Sequence, residues 1–323
     1  QLTSHLAIEE MPLPAELEIV LGQHIGAPCE PVVEKRASVA EGDLIGEVVK
    51  GLGVPIHAPA AGKVKELTVS AHPMRVSSPS VTIKTAADVE PRQYTASDWT
   101  SLTSDELLQK IEKAGVIGVG GAGFPTHVKL SPPADANIDT LILNGAECEP
   151  YITADHRQML ESPDEVIEGA RIMLRILGVS HCRVGIEDNK PDAIAAMTTA
   201  AAEQSSDGAE ISVHALPVKY PQGSEKQLIQ SLTGRKVPAF ALPSQIGVVV
   251  QNVSTARAIY EAVALDKPYY EKVITISGGG IERPANLKVK IGTRISDIVE
   301  YLGGTTPDLR KVVLGGPMMG FAV

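Results

Sequence analysis

Between about residue 100 and residue 270 the sequence alternates between short apolar runs and amphipathic segments, and that alternation admits few folds. Thr103-Ser104-Asp105-Glu106 forms a capping box ahead of Leu107, Leu108 and Ile111, and Gly115 stops that helix. Thr140-Leu141-Ile142-Leu143-Asn144 is a continuous apolar run, the pattern of a strand covered on both faces. Ser162, Pro163 and Glu165 open a helix whose apolar face runs Val166, Ala170, Met173 and Leu177 before Gly178. Arg183-Val184-Gly185-Ile186 predicts a strand, Asn189-Lys190-Pro191 the start of an Ala-rich helix, Ile211 to Val218 a strand and Lys226 to Leu232 a helix. Val248-Val249-Val250 and the helical stretch Thr255 to Val263 complete the series. Strands separated by helices pair in parallel, so an α/β fold with helices on both faces of the sheet is expected.

The flanks read differently. Toward the N-terminus, Glu18-Ile19-Val20-Leu21 and Ser80-Val81-Thr82-Ile83 are short strands among Gly and Pro turns. Val39-Ala40-Glu41-Gly42-Asp43-Leu44-Ile45-Gly46, followed by Ile56-His57-Ala58-Pro59-Ala60-Ala61-Gly62-Lys63-Val64, has the spacing of the barrel-sandwich domains of biotinyl and lipoyl carriers. Lys50 is the nearest candidate for a carrier lysine, but its flanking residues are not those of a carrier, and a structural copy of the domain is expected instead. Toward the C-terminus, Val273 to Gly280 and Asn286-Leu287-Lys288-Val289-Lys290 predict paired strands, Ile295 to Leu302 a short helix and Lys311 to Leu314 a closing strand, a β-grasp-like unit. The expected division is 1–95, 96–270 and 271–323.

Composition removes several function classes. Hydrophobic residues at 43% and charged residues at 21% suit a packed chain, not a disordered one, and with aromatics at 3% the cores must come from Val, Ile, Leu and Ala. A net charge of −10 speaks against nucleic acid and against a basic membrane-surface patch. Cys29, Cys148 and Cys182 are far apart, the pattern of a reduced cytosolic protein and not of a disulfide framework or a metal knot. No apolar run approaches the roughly 20 residues of a membrane span, so a soluble piece is expected. The chain opens on Gln1 without a signal segment and stops at Gly320-Phe321-Ala322-Val323, as if cut from something longer.

Chemistry-bearing residues gather in loops. In Gly118-Val119-Gly120-Gly121-Ala122-Gly123-Phe124-Pro125-Thr126, dense glycines let backbone N–H groups approach a phosphate. Gly118, Gly120 and Gly123 satisfy G-x-G-x-x-G, yet a helix ends just upstream, Pro125 follows, and the Gly-Lys-Ser/Thr of a P-loop is missing; a turn without ligand is the alternative. Asn144-Gly145-Ala146-Glu147-Cys148-Glu149-Pro150 lies at the carboxyl end of a strand, where open sheets bind ligands. Asn144 offers donors and acceptors to a heteroaromatic ring, and Glu147 and Glu149 can accept from ribityl or ribose hydroxyls; a polar turn is the alternative. Tyr220-Pro221-Gln222-Gly223-Ser224-Glu225-Lys226 and Gln251-Asn252-Val253-Ser254-Thr255 each follow a strand and open a helix, suited to phosphate or simply to capping. Together the four loops describe one mononucleotide site. There is no HExxH, CxxC or G-x-S-x-G and no Ser/His/Asp grouping, and glycine loops with few acid–base groups suit hydride transfer by a cofactor.

Gly120 to Thr126 with Lys129, and Asn144 to Pro150, resemble the flavin-binding motifs of the NADH-oxidising subunit of respiratory complex I. Longer strings are similar to the RnfC subunits of the Rnf (Rsx) ion-translocating electron-transport complexes: Gly145 to Asp155, Gly185 to Pro191, Lys226-Gln227-Leu228 with Thr233-Gly234, and Gly315-Gly316-Pro317-Met318-Met319-Gly320. Gln23 to Ala27 and His57-Ala58-Pro59 extend the likeness into the first domain, so it covers essentially the whole chain.

The resemblance implies a Rossmann-like domain that holds non-covalent FMN and binds NAD(H), between an N-terminal barrel-sandwich domain and a C-terminal β-grasp domain of SLBB type. It implies FMN contacts from Gly118, Gly120, Lys129, Asn144, Glu147, Gly223 and Asn252, with Gly121, Gly123, Cys148 and Tyr220 in the same loops. Phe124 would lie near the NADH adenine, and Glu149 and Glu225 near the nicotinamide. No protein residue is required as a catalytic acid or base, and no metal is expected in this chain; two [4Fe–4S] clusters belong to a C-terminal segment missing here. Further implications are a peripheral place on the cytoplasmic side of the bacterial inner membrane, membrane-subunit partners, and ferredoxin or flavodoxin downstream. Val119, Ala146 and Ser224 stand where the complex I pattern has Arg, Asp and Glu, which alters the NADH contacts more than the FMN contacts. Two other readings stay open: a soluble NAD-dependent dehydrogenase, for which no His, Lys or Tyr can be nominated, and a non-catalytic docking protein with a vestigial flavin site.

Overall fold

The computed structural model describes residues 1–72, 75–86, 88–204 and 208–323. Its first part consists of short strands: β1 (Ile8–Glu10), β2 (Glu16–Val20), β3 (Glu30–Pro31), β4 (Ser38–Val39), β5 (Leu44–Glu47), β6 (Ile56–His57), and the long pair β7 (Gly62–His72) and β8 (Arg75–Thr85). All but β1 form two sheets, ordered β2-β8-β7-β4 and β3-β5-β6. Leu17 and Ile19 alternate inward along β2 and share one apolar core with Ile45, Ile56, Val64, Val81 and Ile83. The sandwich is the expected one. Lys50 is exposed, and the backbone just after it is tied to the first domain: the Leu52 carbonyl accepts from Ala27 N at 3.0 Å, and Val54 N donates to His24 Nε2 at 3.3 Å.

The central part runs α1 (Ser104–Lys113), the single turn α2 (Thr126–Lys129), β9 (Thr140–Gly145), α3 (Ala154–Glu161), α4 (Pro163–Leu177), β10 (His181–Glu187), α5 (Pro191–Glu203), β11 (Glu210–Leu216), α6 (Glu225–Thr233), β12 (Val248–Asn252) and α7 (Val253–Ala264). The capping box forms as expected, with the Glu106 carboxylate accepting from Thr103 N at 2.8 Å and Glu106 N donating to Thr103 Oγ1. All strands of this sheet are parallel, in the order β11-β10-β9-β12. Alternation along β9 explains the two-sided cover. Leu141 and Leu143 pack toward α1, α4 and α7, while Ile142 packs with Leu228, Ile229 and Leu232 of α6. Because chain order reverses between β9 and β12, a crevice opens at the carboxyl ends of those two strands.

The last part comprises β13 (Glu271–Ile276), β14 (Ala285–Lys290), α8 (Ile295–Tyr301), β15 (Val313–Leu314) and β16 (Phe321–Ala322). β13 and β14 are antiparallel, and Ala285, Leu287 and Val289 pack against Ile298 and Leu302. One pairing crosses the whole sequence: β1 joins β14 in parallel, Ile8 beside Asn286 and Glu10 beside Lys288. The first strand of residues 1–95 thus completes the sheet of residues 271–323.

Candidate functional site

The crevice at the chain reversal is lined by the sequence motifs. Asn144, near the end of β9, and Asn252, at the end of β12, are partners in the ladder. Asn144 Nδ2 donates to the Gly223 carbonyl at 2.8 Å, while its Oδ1 accepts from Ala146 N at 3.1 Å. The loop after β11 is thereby locked to the loop after β9. A Cβ on Gly223 would stand 2.2 Å from the Ala146 carbonyl oxygen, so only glycine allows this approach. Gly223 N also donates to Cys148 Sγ at 3.3 Å. The Cys148 thiol pKa is raised, chiefly by burial.

The glycine loop reaches the crevice from the other side. It is closed at its base by the Ile117–Pro125 bridge and by Gly118 N donating to the Phe124 carbonyl at 2.8 Å. Gly120, at φ +75°, lies against the Asn252 amide, 3.1 Å from a built Cβ to Nδ2. Gly121 is exposed, with nothing within 4 Å of its Cβ position. Gly123 is buried against the first domain, its carbonyl accepting from Ile25 N at 3.1 Å, and Phe124 is half-buried. Val119 N donates to Thr255 Oγ1 at 2.9 Å, which ties the loop to α7. Lys129 pairs with Glu225 at 2.8 Å, bridging α2 to the first residue of α6. On β12, one residue before Asn252, the buried Gln251 Nε2 has no hydrogen-bond partner among the described residues.

Behind the rim the acids divide. Both Glu147 oxygens face the start of α3, accepting from Asp155 N at 2.9 Å and His156 N at 3.2 Å. Asp155 accepts from Asn252 Nδ2 at 2.7 Å and from Ser254 Oγ. Burial raises the pKa of both carboxyls, and for Glu147 the nearby Asp155 adds to the effect. Lys190, 2% exposed, sits beneath the loop, its ammonium donating to Glu187 Oε2 at 3.0 Å, Asn189 Oδ1 at 3.1 Å and the Glu147 carbonyl at 3.4 Å. Glu149 turns outward instead. Its Oε1 accepts from Met318 N at 2.6 Å and Met319 N at 3.4 Å, in the turn between β15 and β16. Tyr220 lies near it, 38% exposed.

Gly120, Asn144, Cys148, Gly223 and Asn252 therefore meet at the chain reversal, with Lys129 and Glu225 joined to each other beside them, while Gly118 contacts Phe124 within its own loop and Gly121 stands exposed. Glu147 is drawn inward to α3, and Glu149 is held by the last domain. Sequence reasoning gives Asp155 and Lys190 no role in the site and quotes Thr255 only as the end of the loop after β12. A lysine directly before the Pro191 helix start and an aspartate in a helix's first turn were the available signals. Among the described residues, no group of His, Cys, Asp and Glu could hold a metal ion, and no helix is long and apolar enough to cross a membrane.

Family models match in the same order as the architecture. The RnfC barrel-sandwich hybrid domain covers residues 1–88, the Nuo51 FMN-binding domain residues 111–261, and the SLBB domain residues 273–322. The chain is 45% identical, over 99% of its length, to the RnfC-type subunit of the proton-translocating ferredoxin:NAD(+) oxidoreductase complex of Clostridium ljungdahlii, covering 69% of that protein. It is 42% identical over its full length to the corresponding subunit of the ion-translocating oxidoreductase complex of Rhodobacter capsulatus, covering 62% of it. The counterpart in Pseudomonas aeruginosa is 41% identical over 98% of the chain, which spans 41% of that relative. Among solved structures, an NAD+-reducing [NiFe]-hydrogenase in the H2-reduced state superposes with a TM-score of 0.54 at 25% identity, over 62% of this chain and 39% of that one. Identity at this level along the whole chain, with all three domain types in order, means that the chain belongs to the RnfC family of ion-translocating oxidoreductase complex subunits.

Proposed function

We propose that this chain oxidises NADH on a bound FMN and passes the electrons toward iron–sulfur clusters, as the dinucleotide-handling module of a membrane-bound, ion-translocating NADH:ferredoxin oxidoreductase. The observation that carries the reading is the meeting of Gly120, Asn144 and Asn252 at the chain reversal of a parallel sheet. The residues fit a flavin mononucleotide. An open glycine loop offers backbone N–H groups, Lys129 stands at its edge paired with Glu225, and among the described residues the Gln251 Nε2 donor has no partner.

In this reading Gly118, Gly120, Lys129, Asn144, Gly223 and Asn252 hold FMN, with Gly121, Gly123, Cys148 and Tyr220 completing the pocket, while Glu147 supports the loop from behind through its bonds to α3. Phe124 packs near the adenine, and Glu149 and Glu225 face the nicotinamide end. When bound, FMN supplies the chemistry, taking a hydride from the nicotinamide and returning electrons singly. The protein's own part is to orient the rings and exclude water. Hydride transfer asks for no protein acid or base, and the buried Glu147 and Asp155 carboxyls are engaged with α3, Asn252 and Ser254. The other subunits, a ferredoxin or flavodoxin acceptor and a peripheral place on the cytoplasmic face of the membrane belong to the same proposal.

Two measurements test it. Added FMN raises Tm by a few degrees, because a ligand at about 100 times its Kd stabilises the folded state by roughly 2.7 kcal/mol. An anaerobic NADH titration then bleaches the flavin absorption band. No Tm shift at high micromolar FMN would favour a docking protein with a vestigial site.

A further inference from the structure

The last domain contributes a polar contact to the edge of the candidate site. Gly315 at φ +91° and Gly316 at φ +89° curl the β15–β16 connection, and Gly320 N donating to the Gly316 carbonyl at 2.9 Å closes it. Backbone N–H groups that converge in this way form an anion-binding concavity, and the anion here is Glu149. Met318 N and Met319 N both donate to Oε1. Among the described residues Oε2 accepts no hydrogen bond. A Cβ on Gly316 would lie 2.3 Å from Glu149 Cγ, so the turn closes on the carboxylate with no room to spare.

We propose that the Gly315–Gly320 turn is a positioning device for dinucleotide binding: it holds Glu149 by one oxygen and leaves the other to accept from the carboxamide or ribose hydroxyls of NADH. This rests on the functional reading above. A carboxylate at the end of a flexible side chain samples several rotamers, and fixing one of them removes an entropic cost from each binding event. The third domain thereby takes part in substrate recognition through the loop after β9.

Met318→Pro removes the amide donor that makes the shorter contact, while Met318→Ala removes the side chain and keeps the N–H. In the FMN-loaded chain with an artificial electron acceptor, M318P raises KM for NADH by about tenfold, the scale of a lost hydrogen bond to a charged group, and leaves kcat and FMN affinity near wild type. M318A behaves as wild type. Gly316→Ala, which displaces Glu149 by steric conflict, reproduces the KM effect and guards against a folding defect particular to proline. Unchanged KM in both M318P and G316A overturns the proposal, as does a parallel fall in kcat and FMN affinity, which marks a merely structural contact. If the unmodified chain binds FMN but oxidises no NADH, the functional reading fails first and this proposal with it.

Discussion

Glu147 and Asp155 show how burial sets a residue's behaviour. From sequence, Glu147 could accept from a ligand hydroxyl; in the fold both its oxygens cap α3, and burial raises its pKa and that of Asp155. The native state then binds protons more tightly than the unfolded chain. The contribution to stability is greatest at low pH and is lost as pH rises above the ordinary carboxyl range. Glu147→Gln removes the ionising group and keeps one acceptor, for Asp155 N or His156 N, at the pH-independent cost of the other bond. In FMN-free protein, the Tm difference between variant and wild type should widen in the variant's favour from about pH 5 to about pH 8. A constant difference across that range would show that Glu147 stays ionised throughout. The residue identities of the crevice were legible because Asn, Glu and Gly at strand ends have few other uses. The partners were not, because the Asp155–Asn252 contact joins residues distant in sequence.

Elements with a clear period were legible to within a few residues. α4 begins at Pro163 and ends at Leu177, and β9 covers Thr140–Gly145. α3 escaped because its buried positions include His156 and Gln158, so no apolar stripe announces it. β1 escaped because its partner β14 lies at the other end of the chain. G-x-G-x-x-G on its own would suggest a strand–loop–helix finger, but the helix ending upstream and Pro125 argue against one, and the loop does follow α1, precede β9 and close with its own bridge. The link from β10 to α5 is also informative. Its Glu187–Lys190 pair, each side chain 2% exposed, supports the loop after β9 through the Glu147 carbonyl. Lys190→Met would leave Glu187 charged, buried and unpaired, costing about 3–5 kcal/mol in denaturant unfolding. Adding Glu187→Gln should recover much of that loss. No recovery would mean that the Lys190 contact to the loop, not the charge balance, is what stabilises this link.

At the scale of the molecule, charged groups join the domains. Lys290 on β14 binds Glu41 of the first domain at 3.0 Å and Glu271 on β13 at 2.8 Å. Lys267 joins Glu271 at 2.5 Å to Glu261 on α7 at 3.0 Å, and Arg257 extends the chain of contacts from Glu261 to Glu165 on α4. A composition with net charge −10 gave no hint that acids and bases would interleave across these junctions. Burial alone would raise the Glu271 pKa, but Lys267 and Lys290 outweigh it and hold the carboxyl down at about 2. Its contribution to stability is therefore present above the ordinary carboxyl value of 4.5 and lost as pH falls from there toward about 2. Glu271→Gln should remove that acid-dependent loss and destabilise the neutral protein by roughly 1–3 kcal/mol, since two half-buried ammonium groups lose a shared charged partner while keeping Glu261 and Glu41. The effect should concentrate where the last domain docks. Hydrogen exchange should quicken in β13 and β14, and also at the Met318 amide, whose bond to Glu149 requires that domain to stay seated. Faster exchange in the strands with an unchanged Met318 amide would mean that the turn holds Glu149 independently of the ion-paired junction, and that the grip on the candidate site is local to the β15–β16 hairpin.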